Sequence, residues 1–219
     1  PTCRLLTLVG PGGIGKTRLA LEAAASCAEA YESGVFQVRL TGVRSVEEIV
    51  PAVAQAIGFS FYEGGEPRQQ LAGYLRQKQM LLIVDNYEHL LEGVDVVADI
   101  LRAAPGVSTL ITSRIKLNLS GEHLLPVAGL AYPKGEESEP MPTGQYDAVA
   151  LFLAGARRVC PGFGLVGQEQ QVGRICRLVE GMPLALVLAA AWVEMLPPVE
   201  IADSIEQGLD FLETGWRDV

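Results

Sequence analysis

The most constraining feature of the sequence is a glycine-rich segment between a short apolar run and an Ala- and Leu-rich run. Residues 10–17 read Gly-Pro-Gly-Gly-Ile-Gly-Lys-Thr and fit the pattern G-x-x-x-x-G-K-[S/T] at every position. The preceding residues 5–9 predict a buried strand, and residues 17–31 predict a helix. A strand that turns through glycines into a helix is the local geometry that binds phosphate groups. The sequence therefore predicts a site for a phosphate-bearing ligand.

Each residue type in this segment has its own chemical reason. Glycines let consecutive N–H groups turn toward a phosphate without a Cβ in the way, and the helix N-terminus adds the positive end of its dipole. We expect Lys16 to reach the β- and γ-phosphates as a point charge, and the Thr17 hydroxyl to bind Mg²⁺, which prefers oxygen ligands. The alternative is a glycine-rich turn that binds nothing.

The rest of the first half of the chain predicts a parallel sheet. Strand patterns recur at residues 35–40, 80–85, 107–112 and 123–127, and helical patterns lie between them at 45–57, 68–77 and 89–103. Ser45 and Glu48 match a capping box at the start of the second helix. Alternating strands and helices predict parallel pairing with right-handed crossovers. We expect an α/β fold of three layers, with a parallel five-stranded sheet, over residues 1–131.

The composition changes after this region. Residues 132–145 are dense in Pro, Gly and acidic residues, as linkers are. Beyond them no strand pattern is present, and helical patterns cover residues 146–159, 168–180, 184–195 and 200–207. We expect a small helical domain over residues 146–219, with truncation at residue 219 as an open alternative.

Charge and cysteine content restrict the partners and the compartment. Lys plus Arg number 17 and Asp plus Glu number 26, for a net charge of −9. This balance disfavours direct binding to nucleic acid or to an anionic membrane, although a nest of N–H groups binds phosphate at short range. The four cysteines form no C-x-x-C pair, which predicts reduced, buried thiols in a cytoplasmic protein. They are Cys3, Cys27, Cys160 and Cys176.

An acidic residue ends the third predicted strand. The carboxyl end of a parallel strand faces the ligand, so we expect Asp85 to hold Mg²⁺ through water; the alternative is a helix N-cap. Asn86 follows where many fast ATPases have a second carboxylate, and an amide cannot accept a proton from water. If the phosphate-bearing ligand is a nucleoside triphosphate, the sequence therefore predicts that it is hydrolysed slowly. Glu88 and His89 are near enough to substitute, although we expect both to be solvent-exposed residues of a first helical turn.

Two further segments carry weaker signals. Arg114 follows Thr112 and Ser113 at the end of the fourth strand, where a guanidinium can bond the γ-phosphate and distinguish ATP from ADP. The alternative is a surface cation. Residues 181–186 read Gly-Met-Pro-Leu-Ala-Leu, which ends one helix and starts the next with Pro at a permitted position. Taken alone, this segment indicates a corner between two helices.

Taken together, these segments resemble a known family. Four segments occur in the order found in the STAND class of signalling ATPases. They are the glycine-rich segment with its strand, Leu-Ile-Val-Asp-Asn at 82–86, Thr-Ser-Arg at 112–114 and Gly-Met-Pro-Leu-Ala-Leu at 181–186. Within that class the chain resembles the NB-ARC or AP-ATPase type, and more narrowly the nucleotide-binding module of large bacterial transcriptional regulators. The resemblance covers nearly the whole chain and implies a P-loop NTPase fold followed by a helical domain.

The resemblance also implies roles for individual residues. Lys16 and Thr17 would hold phosphate and Mg²⁺, Asp85 would be the Walker-B acid, and Arg114 would be the sensor arginine. Pro183 would pack against adenine from the helical domain. The residues implied to contact the nucleotide are Gly12, Gly13, Ile14, Gly15, Lys16, Thr17, Arg18, Pro183 and Leu184.

The function implied is an ATP/ADP-binding switch in a signal-transducing transcriptional regulator, with slow Mg²⁺-dependent ATP hydrolysis. Expected partners are an adenine nucleotide, other domains of the same polypeptide and, depending on the nucleotide, further copies of the chain. Relatives carry a segment before the first strand and a winged-helix domain after the helical one; the sequence contains neither, so we expect weakened nucleotide binding. Two alternatives stay open: a phosphotransferase acting on a small metabolite, and a non-catalytic scaffold.

Overall fold

The computed structural model describes residues 3–134 and 142–208. The chain divides into two compact units, Pro1–Val127 and Ala128–Val219. The predicted domain boundary at residue 131 lies four residues beyond this division. Residues 135–141, half of the predicted linker, lie outside the described residues.

The first unit contains the predicted sheet. Its five strands pair in the order β2-β3-β4-β1-β5 and every pair is parallel, which confirms the predicted fold class. Because β4 lies between β1 and β3, the residues that end these three strands meet at one edge of the sheet. The strands are β1 (Leu5–Val9), β2 (Val35–Arg39), β3 (Met80–Asp85), β4 (Val107–Ser113) and β5 (Glu122–Pro126).

Four α-helices connect the strands, with several ends shifted from the prediction. The predicted capping box is wrong: the Ser45 side chain makes no capping bond, and Glu48 Oε2 instead accepts from the Arg44 N–H at 2.8 Å. A short 3-10 helix, Val46–Glu48, precedes the second α-helix. The helices are α1 (Lys16–Ser26), α2 (Ile49–Ala56), α3 (Pro67–Leu75) and α4 (Val94–Ala103).

Helices cover both faces of the sheet. Leu81 and Ile83 of β3 pack into one cluster with Ala20 and Ala24 of α1. The alternate residues of β3 pack into a second cluster, which contains side chains from α2, α3 and α4. A strand buried on both faces needs apolar residues at every position, which explains the uninterrupted apolar run before Asp85.

The second unit is helical over its described residues, as predicted. Its core contains the fully buried side chains of Phe152, Ile175 and Leu186, one from each of three helices, together with Ile201 from the fourth. Each helix begins within two residues of its predicted start. The helices are α5 (Asp147–Val159), α6 (Glu169–Leu178), α7 (Pro183–Ala191) and α8 (Pro198–Gln207).

The glycine of the Gly-Met-Pro segment has a packing role that the sequence alone did not reveal. Gly181 adopts a left-handed backbone with φ of 65°, and its carbonyl accepts from the Leu130 N–H at 2.9 Å. A Cβ at Gly181 would lie 2.1 Å from Leu130 O. The corner between α6 and α7 therefore holds the segment that enters this unit, and only glycine permits so close an approach.

The cysteines do not share one environment. Cys176 is buried in the helical core, where burial raises the pKa of its thiol to about 12. Cys27 is exposed after the end of α1, so the prediction that all four thiols are buried is wrong. Among the described residues, no helix combines the length and the apolar character needed to cross a bilayer.

We predict that Gly181→Ala destabilises the second unit by about 2–4 kcal/mol, because the added Cβ meets a carbonyl oxygen and the left-handed backbone disfavours alanine. Both tryptophans, Trp192 and Trp216, belong to residues 128–219, so fluorescence during urea denaturation follows this unit selectively. Gly162→Ala is the matched control, since a Cβ there meets nothing within 4 Å. Equal midpoints for the two variants would contradict the packing role of Gly181.

Candidate functional site

The glycine-rich loop turns between β1 and α1 with the backbone that its composition predicts. Gly13 and Gly15 have φ values of 77° and 95°, in the left-handed region that favours glycine. At Gly10 a Cβ would lie 2.9 Å from Val127 O and 3.1 Å from the Ile14 side chain. Ile14 is itself buried and anchors the loop, so it offers a phosphate its main chain and not its side chain.

Lys16 opens α1 and folds back over the loop. Its Nζ donates to Gly10 O at 2.8 Å and to Pro11 O at 2.9 Å. Partial burial lowers the pKa of Lys16 below its ordinary value, and the negative charge of Glu88 opposes this shift. The ammonium group therefore lies against the carbonyl groups of the phosphate loop, where it can meet a phosphate.

Asp85 is the point where three elements meet. The Thr17 hydroxyl of α1 and the Thr112 hydroxyl of β4 both donate to Asp85 Oδ1, each at 2.6 Å. Thr112 Oγ1 also accepts from the Asn86 N–H at 2.9 Å. Asp85 is only 9% exposed. The alternative role of Asp85 as a helix cap is wrong, because Asn86 is the N-cap of the 3-10 helix that follows.

These groups fit a magnesium ion. Thr17 and Asp85 present a hydroxyl and a carboxylate oxygen within hydrogen-bond distance of each other, beside the phosphate loop. Mg²⁺ commonly takes one or two such protein oxygens, with phosphate and water completing its octahedron. No group of three or more His, Cys, Asp or Glu side chains that could hold a metal occurs among residues 3–134 and 142–208. Thr17 and Asp85 would therefore suit a magnesium ion that is also bound by phosphate oxygens.

Arg114 extends over the loop from the end of β4. Its Nε lies 3.1 Å from Glu88 Oε1, and its Nη2 lies 3.3 Å from the position of a Cβ on Gly12. The Arg114 side chain is 65% exposed, whereas that of Glu88 is only 17% exposed. Glu88 lies in the first turn of a short helix, as predicted, but the prediction that it is solvent-exposed is wrong. His89 is exposed, as predicted.

The chain after β3 explains the position of Glu88. Asn86 adopts a left-handed backbone with φ of 68°, and the 3-10 helix Tyr87–His89 follows it directly. Tyr87 is fully buried and its hydroxyl donates to Gly93 O at 2.8 Å. A short helix anchored by a buried tyrosine turns Glu88 toward Arg114, a placement that spacing alone could not reveal.

Three residues that were expected to contact the nucleotide remain to be located in the structure: Arg18, Pro183 and Leu184. Arg18 is exposed in the first turn of α1, one residue after Thr17. Pro183 and Leu184 open α7 in the second unit, where Leu184 is 40% exposed. Their expected contact with adenine stays a prediction.

Two residues of the site were not singled out from the sequence. Thr112 was noted only as part of the Thr-Ser-Arg segment at 112–114. A hydroxyl near the end of β4, the strand beside β3, could have indicated a hydrogen bond to Asp85. Glu122 accepts from the Thr7 hydroxyl at 2.7 Å and from the N–H groups of Leu117 and Asn118, each at 2.9 Å. This carboxylate ties the loop after Arg114 to β1, and no sequence pattern indicated it.

We predict that Thr112→Val lowers the free energy of unfolding by about 1–3 kcal/mol, because it leaves the partly buried Asn86 N–H without its acceptor and removes a donor to Asp85. Thr109→Val is the control, since it removes a buried hydroxyl from the same strand that makes only a 3.4 Å contact. Chemical denaturation followed by far-ultraviolet circular dichroism gives both values. A smaller loss for Thr112→Val than for Thr109→Val would contradict the bridging role.

Comparison with known proteins agrees with this geometry. A family model described as an AAA domain matches residues 1–125. A Mycobacterium tuberculosis protein provisionally named as an HTH-type transcriptional regulator is 34% identical over 216 residues, which cover 98% of this chain and 23% of that protein. The regulatory protein AfsR of Streptomyces coelicolor is 24% identical over 95% of this chain and 20% of its own length. The chain thus spans about a quarter or less of these two relatives.

Solved structures show the same fold. A STAND protein with a tetratricopeptide repeat sensor from Pyrococcus horikoshii aligns with a TM-score of 0.55 and 17% identity, over 93% of this chain and 30% of that one. Cdc6p from Pyrobaculum aerophilum aligns with a TM-score of 0.57 and 16% identity, over 93% of this chain and 56% of that one. The family match over residues 1–125, together with the parallel sheet and the phosphate loop, shows that this chain belongs to the AAA domain family.

Proposed function

We propose that this chain is an ATP/ADP-binding switch module of a larger signal-transducing transcriptional regulator, with slow Mg²⁺-dependent ATP hydrolysis. The observation that carries the proposal is the convergence of the Thr17 and Thr112 hydroxyls on one oxygen of Asp85, beside the loop that holds Lys16. A Walker-B acid that is hydrogen-bonded in this way is positioned before any ligand arrives. The kinds of relative that the chain matches support the regulatory setting.

The proposed chemistry assigns a separate task to each group. The loop N–H groups and Lys16 bind the phosphates, and Thr17 and Asp85 hold Mg²⁺, which would neutralise charge on the phosphate oxygens. Arg114 contacts Glu88 through its Nε, while its Nη2 lies over Gly12 in the phosphate loop. We therefore assign Arg114 the role of sensing the γ-phosphate. From the resemblance in sequence, we assign contacts with adenine to Pro183 and Leu184.

We expect slow turnover because the residue directly after the Walker-B acid is not an acid, so that any base must act from a position further along the chain. Asn86 has an amide side chain, and its Nδ2 lies 3.4 Å from His89 Nδ1. An amide cannot take a proton from water, so the position next to Asp85 supplies no base. A switch requires that the triphosphate state persist long enough to be read, and slow hydrolysis meets that requirement.

We expect Lys16→Ala to weaken binding of MgATP and MgADP by about 10- to 100-fold, because a hydrogen bond to a charged group contributes about 1.5–3 kcal/mol. Isothermal titration calorimetry on the 219-residue chain measures both affinities. Lys116→Ala is the matched control: it removes the same charge from an exposed position after β4, outside the loop.

Unchanged affinity in Lys16→Ala would overturn the proposed nucleotide site and favour a scaffold. A second measurement is the nucleotide released when the purified chain is denatured and its supernatant is separated by anion exchange. Stoichiometric ADP supports a switch that retains its product. Rapid turnover that depends on one small hydroxylated metabolite would instead favour a phosphotransferase.

A further inference from the structure

The site has a second carboxylate that the proposed chemistry does not use. Glu88 lies three residues after Asp85, on the 3-10 helix Tyr87–His89. Its Oε1 is paired with Arg114 Nε at 3.1 Å. Its Oε2 is shielded from solvent and accepts no hydrogen bond from the part of the chain that the structure describes. A buried carboxylate oxygen without a donor is costly, so a donor that binds during function is expected at Oε2.

The surroundings of Glu88 indicate which donor this is. The negative charge of Glu88 opposes the lowering of the Lys16 pKa, and Lys16 Nζ itself lies on the phosphate loop, where it donates to Gly10 O and Pro11 O. Arg114, the ion-pair partner of Glu88, reaches over Gly12 in the phosphate loop. Glu88 is thus surrounded by the groups that would contact a γ-phosphate, and the small donor that belongs there during hydrolysis is a water molecule.

The backbone holds Glu88 in this position from both sides. The residue before it, Tyr87, is fully buried and bonded to Gly93 O. The residue after it, His89, has its Nε2 3.0 Å from Val43 O, in the segment that follows β2. A base must be held in place to act on one particular water molecule, and these two anchors provide that restraint.

We propose that Glu88 is the general base of ATP hydrolysis in this chain, in place of the carboxylate that Asn86 does not supply. The inference rests on the proposed function. The water oxygen forms a bond to Pγ, and the bond between Pγ and the β,γ-bridging oxygen breaks, so ADP leaves with that electron pair. The water proton passes to Glu88 Oε2 and is then released to solvent. Arg114 holds Oε1, which fixes the orientation of the carboxylate.

The competing role for Glu88 is that of an anchor for Arg114 alone. Glutamine separates the two roles, because its carbonyl oxygen still accepts from Arg114 Nε while the amide group accepts no proton. Alanine removes both functions. An anchor therefore predicts that Glu88→Gln stays active and Glu88→Ala does not, whereas a base predicts that both variants are inactive.

The test measures single-turnover phosphate release from MgATP by the 219-residue chain and its variants. We expect Glu88→Gln and Glu88→Ala each to slow hydrolysis by about 100-fold or more, the usual contribution of a positioned base. Affinity for MgATP, measured by titration, should stay within about threefold of that of the unaltered chain for Glu88→Gln, because the Oε1 contact is preserved. After incubation with ATP and desalting, Glu88→Gln should retain ATP where the unaltered chain retains ADP.

Glu92→Gln is the matched control, since Glu92 is an exposed glutamate four residues further along the chain, and its rate should stay within about twofold of the unaltered one. Hydrolysis by Glu88→Gln above about a third of the unaltered rate would overturn the proposal and leave Glu88 as an anchor. Parallel loss of binding and hydrolysis would overturn it too. If the unaltered chain binds ATP but does not hydrolyse it, the base is refuted while nucleotide binding stands; if Lys16→Ala binds normally, the site itself is refuted.

Discussion

The hydrogen bonds that converge on Asp85 are the constraint on which the rest of the site depends. One carboxylate oxygen accepts hydrogen bonds from the hydroxyls of Thr17 and Thr112, and these bonds connect β3 to α1 and to β4. The contact depends on the strand order, because β4 pairs with β3 on one side and with β1 on the other. The two short hydrogen bonds fix the orientation of this nearly buried carboxylate, and an oriented oxygen ligand is what a magnesium ion would need.

Opposite charges are arranged locally in a chain whose net charge is −9. Lys16 and Arg114 bring positive charge to the phosphate loop, and Glu88 and Asp85 balance it within the same small region. This balance limits the cost of holding two cations close together in the absence of an anion. A phosphate bound at the loop would add negative charge to the same region, beside Lys16 and Arg114.

Local sequence rules were reliable wherever one short segment decides its own structure. The glycine-rich loop, the five strands and the four later helices follow from backbone freedom and apolar periodicity. These rules failed at places where a side chain has two available partners. Glu48 bonds the Arg44 N–H although a capping box predicts that it joins Ser45. A second failure is Cys27, which is exposed directly after the end of α1 although its residue type favours burial.

The sequence by itself determined the phosphate loop, the apolar strand that ends in Asp85 and the class of the fold, since each depends on residues that are adjacent in the chain. Only the tertiary structure decided that Thr112 bridges Asp85 and Asn86, that Glu88 pairs with Arg114, and that Gly181 contacts Leu130. The physical reason is that these contacts join residues about 26 to 51 positions apart, whose meeting depends on strand order and helix packing and not on local spacing.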